Sequence, residues 1–504
     1  MGIVLLVLPL VGAIISLFMR NKTMMAGSFI FISALSVLVA IKLSAEVYFN
    51  GYAVDNLFFT ELYLDSLSII FVDIISVLAF VVSLFAPGYM NLEFEEGRFD
   101  IKKLGVFYSL LFCFVFTMLL SVMVDNMGIM WIAIEATTLA SAFLVGFYNS
   151  RESLEAAWKY VIICSVGIAV AFLGIILLHL SSLEVIGNGQ ALSFKALYEN
   201  AITLHQPTLR VAFIFVLLGF GTKAGLAPMH TWLPGAHSQA PSPISALLSG
   251  VLLNSAMYGI IRTLAILNKT GESGDFGNSL MVAMGILSIV TAAILIIRQK
   301  EYKSLLAYSS IEHMGVIAFA LGLGTKGALF GAVLHIINHS FTKSMLFMSA
   351  GTVLQRYHTG KIGDIKGVLK EMPFNGGIFM IGLLAIAGTP PFSIFASEIN
   401  IMSAVFGQGR MILGAVFCVL LAVIFAGIVY CIFTIFYGDS KEGIAYNNER
   451  FEHLRKREKS SDMRMGKLAL GLLFMTILVM GFYLPDQVLL VIERAVEIVI
   501  GGAL

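Results

Sequence analysis

The sequence predicts an all-α polytopic membrane protein of about 14 transmembrane helices, arranged as two inverted five-helix repeats with two broken helices. Three observations predict it. Of the 504 residues, 58% are hydrophobic and only 12% charged, about half the charged share of a soluble domain. Apolar stretches of roughly 20 residues, enough to cross the hydrocarbon core of a bilayer, recur along the whole chain. Lysine and arginine then sort by loop. With the N-terminus outside, the loops on the cytoplasmic side carry three times as many as the opposite loops, as the positive-inside rule requires. A net charge of +1 gives no electrostatic footprint for nucleic acid.

The span cores fall at 3–19, 26–45, 66–88, 105–124, 127–148, 158–180, 209–235, 243–268, 280–297, 303–323, 327–355, 376–404, 411–437 and 467–487. Arg20 and Lys22 follow the first apolar run instead of preceding it, the reverse of a signal peptide. That run is therefore expected to be a true first span. Spans 7 and 12 contain Pro228 and the pair Pro390–Pro391. Proline removes a backbone donor and blocks the helical ladder, so both spans are expected to be broken. The loop 439–467 is long and mixed in charge. It is expected to be a solvated cytoplasmic segment, with a docking surface for a soluble partner as the alternative. The stretch 488–504 is short and amphipathic and is expected to lie at the interface, outside like the N-terminus.

Spans 4–8 and 9–13 look alike. Lys159, Ser165 and Gly167 on span 6 share the spacing K-x5-S-x-G with Lys343, Ser349 and Gly351 on span 11. Ile134-Glu135 on span 5 recurs as Ile311-Glu312 on span 10, and Pro228-MHT-Trp232 recurs as Pro391-FSI-Phe395. Five spans is an odd number, so the second block runs opposite to the first. Secondary transporters share this arrangement, with coupling groups where the helices break. The chain divides into a three-span segment (1–104), a first five-helix repeat (105–270), a second, inverted repeat (279–438), a charged cytoplasmic loop (439–466) and a C-terminal span with its tail (467–504).

Seven ionisable side chains fall at mid-depth of these spans: Glu135, Lys159, Lys223, Glu312, His313, Lys343 and Glu398. A charge at the bilayer centre is costly, so such residues face a protein interior or a wet cavity and mark an ion or proton path. Burial disfavours the charged form of carboxylate and ammonium alike, and an opposite charge restores it. Glu135 with Lys223 is therefore expected to act as a switchable pair, with Lys159 as a modulator. His335, His339 and Lys343 follow i, i+4, i+8 spacing and line one helix face over about 12 Å, a row that water can bridge. Glu312, His313 and Glu398 extend it towards the outer face. Further candidates are His230 and His237, which flank the first break, Asn254, and Arg262, whose alternative is to snorkel to the outer interface. No carboxylate or cysteine completes a zinc site locally beside His335 and His339, so no metal site is expected. Cys113, Cys164, Cys418 and Cys431 stand singly, which argues against an iron–sulfur cluster. There is no Walker loop and no dinucleotide fingerprint, so no cofactor is expected in this chain.

These residues carry a resemblance. His230-TWLPGAHSQAP-Ser242 with the preceding Lys223, Tyr308-SSIEHMG-Val316, His335-IINHSFTKSMLFMSAG and Ala387-GTPPF resemble the antiporter-like subunits of respiratory complex I, of energy-converting membrane-bound hydrogenases and of multisubunit cation/proton antiporters. WIAIEATTLASAFLVGFY and Glu398 resemble most the hydrogenase-4 (formate hydrogenlyase) component F branch, which is similar to the M-type subunit of complex I. The resemblance implies a proton channel across the middle of the protein. Glu135, Lys223, His313, His339 and Glu398 fall on the family's functional positions. It departs at Asn254, where complex I members commonly carry lysine, and at Gly235, where they often carry an acidic residue. It further implies transport of protons, or their exchange for sodium, in the cytoplasmic membrane of a prokaryote. The chain would be a non-redox subunit whose hydrophilic partners hold iron–sulfur clusters and a nickel–iron centre. A cation/proton antiporter without a redox partner is the alternative.

Overall fold

The computed structural model describes residues 1–57, 60–187, 189–437 and 461–502. Among these, eleven helices are long and apolar enough to cross a membrane. Helices α1 (Gly2–Phe18) and α2 (Lys22–Asn50) lead into a hairpin of β1 (Ala53–Leu57) and β2 (Thr60–Leu64), antiparallel with Ala53 opposite Leu64. The hairpin was not expected from the sequence. Asp65 then caps α3 (Ser66–Glu95) in a capping box with Ser68, which satisfies donors that the first turn leaves free. Helices α4 (Ile101–Met123), α5 (Met127–Val145) and α6 (Arg151–Ile186) follow. After the short α7 (Phe194–Glu199), α8 (Gln206–Ala224) re-enters the bundle.

The expected break in span 7 lies here. Gly225, at φ +79°, ends α8 in the left-handed region, a conformation glycine adopts without steric cost. Pro228 precedes a 3-10 turn (Met229–Trp232) and α9 (Leu233–Gln239). Span 8 holds a feature the sequence did not announce: a π-helical turn, Leu248–Leu252, between α10 (Ser242–Leu247) and α11 (Leu253–Asn268). Then come α12 (Glu272–Ile296), α13 (Tyr302–Gly322) and α14 (Lys326–Tyr357), the last two on the expected segments 303–323 and 327–355. After α15 (Val368–Glu371), span 12 is broken into α16 (Pro373–Ile386) and α17 (Ser393–Gly407), with Pro390 and Pro391 between them. Helix α18 (Met411–Phe436) follows.

The last long helix, α19 (Ser461–Phe482), begins earlier than expected, so 461–466 is helix and not loop. Residues 438–460, on which the docking-surface alternative falls, lie outside the described residues. The amphipathic tail is a helix, α20 (Asp486–Ile500), tied to the bundle by Tyr198 OH donating to Ile498 O at 2.8 Å and Asn268 Nδ2 to Val499 O at 2.8 Å.

Burial sorts the helices into a centre and a rim. Helices α3, α10, α11, α13 and α14 are buried nearly all round, whereas α2, α6, α12, α18 and α19 present large apolar side chains outward, among them Phe31, Trp158, Val166, Ile294 and Phe433. In lipid such a surface is ordinary. All candidate charge carriers but two, Glu135 on α5 and Lys159 on α6, sit on the central helices and on the helices broken beside them.

Candidate functional site

The first polar group forms where α5, α6 and α8 meet. Lys223 lies in the last turn of α8, where helix C-terminal carbonyls favour a cation, and it is fully buried. Its Nζ donates to Thr138 Oγ1 at 2.6 Å and to Tyr160 OH at 2.6 Å, and lies 4.7 Å from the Tyr160 ring centroid. Glu135, half-buried on α5, accepts from Thr138 Oγ1 at 3.2 Å and from Ser165 Oγ at 2.8 Å. The expected Glu135–Lys223 pair is thus joined through one hydroxyl, with Thr138 accepting from the lysine and donating to the carboxylate. Ser141 Oγ and Tyr160 OH, 2.7 Å apart, continue the group.

Lys159 is not part of it. The side chain is 64% exposed and pairs with Glu155 at 2.6 Å, one turn back on α6. The reason is helical phase. Tyr160 and Cys164, at i and i+4, take the buried face, and Lys159 sits one residue earlier, about 100° round.

The second group lies between α13, α14, α16 and α17. Lys343 is fully buried; its Nζ donates to Leu306 O at 2.8 Å and to Ser309 Oγ. His313 sits between the two histidines of α14, with ring centroids 5.1 Å from His335 and 5.4 Å from His339. A short chain of contacts runs from carbonyl to carbonyl. His313 Nε2 meets Ile386 O at 3.1 Å, His313 Nδ1 meets His335 Nε2 at 2.9 Å, and His335 Nδ1 meets Ser397 Oγ at 2.9 Å. Ser397 Oγ in turn reaches Ile394 O at 2.8 Å. Both ring nitrogens of His339 are buried without a partner.

Glu312 Oε2 lies 3.1 Å from His313 Nε2, close enough to pair but misaligned for a hydrogen bond. Glu398 is buried against the second break. Gly388, at φ +71°, has no side chain there, and a Cβ would overlap Glu398 Oε2. Donor atoms of Glu312, His313 and Glu398 all lie within 4.8 Å of one another. Glu312 beside His313 on α13 and Glu398 on α17 thus converge, and the group could hold a cation.

Asn254 stands between the two groups. Its Nδ2 donates to Ser340 Oγ at 2.8 Å and to Gly250 O at 3.0 Å, while Oδ1 is left without a partner. Ser249 and Ser310 hydroxyls, 2.8 Å apart, lie on the π-helical turn and on α13. His230 is buried with Nδ1 unpaired, and His237 is buried with both nitrogens unpaired, stacked on Phe347 at 4.6 Å. Arg262 does not snorkel. It is 3% exposed and makes a two-pronged pair with Asp65 at 2.6 and 2.8 Å, with Ser68 Oγ at 2.6 Å and Tyr258 OH at 2.8 Å as further acceptors. The Phe194 ring lies 4.2 Å from its guanidinium carbon. It clamps the cap of α3 to α11.

Sequence reasoning missed the hydroxyl partners Thr138, Tyr160 and Ser397, which have no signal of their own. It also missed Asp73 on α3, whose carboxylate accepts from Ser44 Oγ at 2.7 and 2.8 Å. A lone carboxylate in an apolar run was the same signal that had picked out Glu135.

A family model described as NADH:quinone oxidoreductase/Mrp antiporter, TM, matches residues 124–425. The chain is 40% identical over 349 residues to a hydrogenase-4 component F homolog of Methylacidiphilum infernorum (isolate V4), with 69% of this chain and 73% of that protein covered. It is 31% identical over 360 residues to hydrogenase-4 component B of Escherichia coli (strain K12), spanning 69% of this chain but only 51% of that relative. Its fold is similar to a chain of the membrane-bound sulfane sulfur reductase, an archaeal respiratory membrane complex, with TM-score 0.84, 24% identity and coverage of 99% and 97%.

Proposed function

This chain belongs to the NADH:quinone oxidoreductase/Mrp antiporter transmembrane family, and from that premise we propose that it carries protons across the membrane as a non-redox subunit of a redox-driven complex. The observation that carries the proposal is the proton count in the Ser397–His335–His313 chain. With both rings neutral, three protons serve three contacts: Ser397 donates to His335, His335 to His313, and His313 to Ile386 O. If one more proton arrives, Ser397 turns its hydroxyl to Ile394 O, and four protons serve four contacts. Both states leave every nitrogen of the chain satisfied, with tautomers assigned from the contacts themselves. A row that is complete with and without an extra proton can take one up and pass it on.

In this reading the two five-helix blocks are half-channels. Glu135 is the gate. Its approach to Lys223 through Thr138, or its retreat, decides whether the ammonium keeps its proton, because an opposite charge nearby favours the charged form. The released proton crosses by water at Asn254 to Lys343 and His339, and leaves past His313, Glu312 and Glu398. The driving chemistry belongs to hydrophilic partners with iron–sulfur and nickel–iron centres. The test is the purified complex in liposomes with an entrapped pH dye. Glu135→Gln and Lys223→Met should each slow proton movement at least tenfold. Wild-type rates in both would end the proposal. Iron and nickel co-purifying with the chain support the redox-driven form, and their absence moves the reading to a free-standing antiporter.

One observation favours a second reading, exchange of protons for sodium. The donor atoms of Glu312, His313 and Glu398, within 4.8 Å of one another, would take a cation as cargo in place of a proton. Sodium dependence of the dye signal, lost in Glu398→Gln, would favour it.

A further inference from the structure

Two buried charges of opposite sign lie near each other off the axis, apart from the Arg262–Asp65 clamp. Glu93, near the end of α3, is 1% exposed, and Lys303, in the first turn of α13, is 4% exposed. Both lie on the face of the bundle that carries Arg98, and each is within electrostatic range of the other. A buried carboxylate and a buried ammonium are expensive to keep unless paired and hydrogen-bonded. Here polar groups form a sequence that runs inward, with hydrogen bonds at its two ends.

Its outer end is exposed at Arg98. Arg98, 38% exposed, approaches Glu93 Oε1 at 3.4 Å, and Tyr148 OH donates to Glu93 Oε2 at 2.6 Å. The Tyr89 hydroxyl lies beside Glu93, Tyr148 and Ser242, whose own Oγ is buried without an aligned partner. A cavity of about 20 Å³ adjoins Tyr89, lined also by Thr352, Gln355 and Asn375; Asn375 Oδ1 is unpaired. That volume admits about one water molecule.

Its inner end reaches the axis. Lys303 Nζ donates to Ala240 O at 3.1 Å, at the end of the broken span 7. One turn inward on the two elements stand His237, with both nitrogens free, and Leu306, whose carbonyl accepts from Lys343 Nζ at 2.8 Å. His237 is in electrostatic range of both lysines.

We propose that Glu93, Tyr148, Lys303 and His237 form a second proton inlet that feeds Lys343 from the Arg98 face, and that each turnover needs this proton as well as the one released through the Glu135–Lys223 gate. It rests on the proton-carrying reading above. Glu93 takes a proton from water at the mouth. Lys303, when neutral, accepts it, and His237 with water hands it to a neutral Lys343; each transfer moves one proton and leaves its donor ready to reload.

The test again uses the purified complex in liposomes, sorted by orientation. Glu93→Gln and Lys303→Met should each cut proton uptake from the Arg98 face at least tenfold, whereas Glu93→Asp should keep most of it. A structural tie alone would lower thermal stability in Glu93→Gln without a side-dependent effect. To read the side directly, Arg98→Cys is treated with a membrane-impermeant cationic thiol reagent. Reagent on the Arg98 face should block uptake, and reagent on the opposite face should not. Wild-type uptake in Glu93→Gln and Lys303→Met, with Glu135→Gln inactive, overturns the inlet and spares the wider reading. No proton movement in the wild type overturns both.

Discussion

Thr138 is the residue on which the first polar group turns, because its one hydroxyl serves Lys223 and Glu135 at once. Thr138→Val keeps the shape and removes the hydroxyl. Leaving a buried charged donor short of a partner costs roughly 1–3 kcal/mol, and proton movement should fall at least tenfold; Thr138→Ser should restore both. Liposome dye assays and thermal unfolding in detergent check the two halves of that statement. Gly388 is the second case. Its positive φ and the Glu398 carboxylate packed on it leave no room for a methyl group. Gly388→Ala should therefore displace Glu398 and lose activity as fully as Glu398→Gln does. At this scale the sequence was legible for residue type and less so for direction. Glu135, Lys223, Glu312, His313, His335, His339, Lys343 and Glu398 were singled out because a charge or imidazole stands out in apolar sequence. Lys159 stood out equally and points outward. On a helix that is apolar all round, nothing in the pattern fixes which face is buried.

At the scale of elements, the breaks do the positioning. Proline and glycine end α8 and α16 inside the bundle, and the freed ends hold Lys223 on one side and Glu398 on the other. Both breaks were legible, since proline in mid-span has few other uses. The long helices were legible too, including α14, whose histidines, lysine and asparagine dilute its hydropathy. The β-hairpin and the π-helical turn were not: one depends on partners distant in sequence, the other on packing around Ser249 and Asn254. Arg262 was misjudged for the same reason, because Asp65 lies far away in the chain. Removing one member of such a buried pair costs roughly 3–5 kcal/mol. Arg262→Met should lower the unfolding temperature sharply, and Asp65→Leu with Arg262→Met should recover much of the loss. Proton movement per folded complex should stay near the wild-type rate in the double variant, since neither residue touches the axis.

Across the whole molecule, the polar groups of the axis lie in one band from α5 to α17, inside a shell of apolar helices. If they act in series, Lys223→Met and Glu398→Gln should each stop conduction, and the double variant should be no worse than either single, the non-additivity expected of residues that work as a unit. Additive losses, measured by the same dye assay, would mean two independent routes. The layout also ties the second half to a single rod. Helix α14 has 32 residues, about 48 Å at 1.5 Å per residue, against roughly 30 Å of hydrocarbon. It must lean or protrude, and how far depends on the surrounding lipid. His335, His339 and Lys343 ride on it together, facing Ser309, His313 and Ser397 on helices of ordinary length. Bilayer thickness thereby sets the alignment of the row: lipids with shorter or longer tails would slide three titratable groups past their partners in one movement.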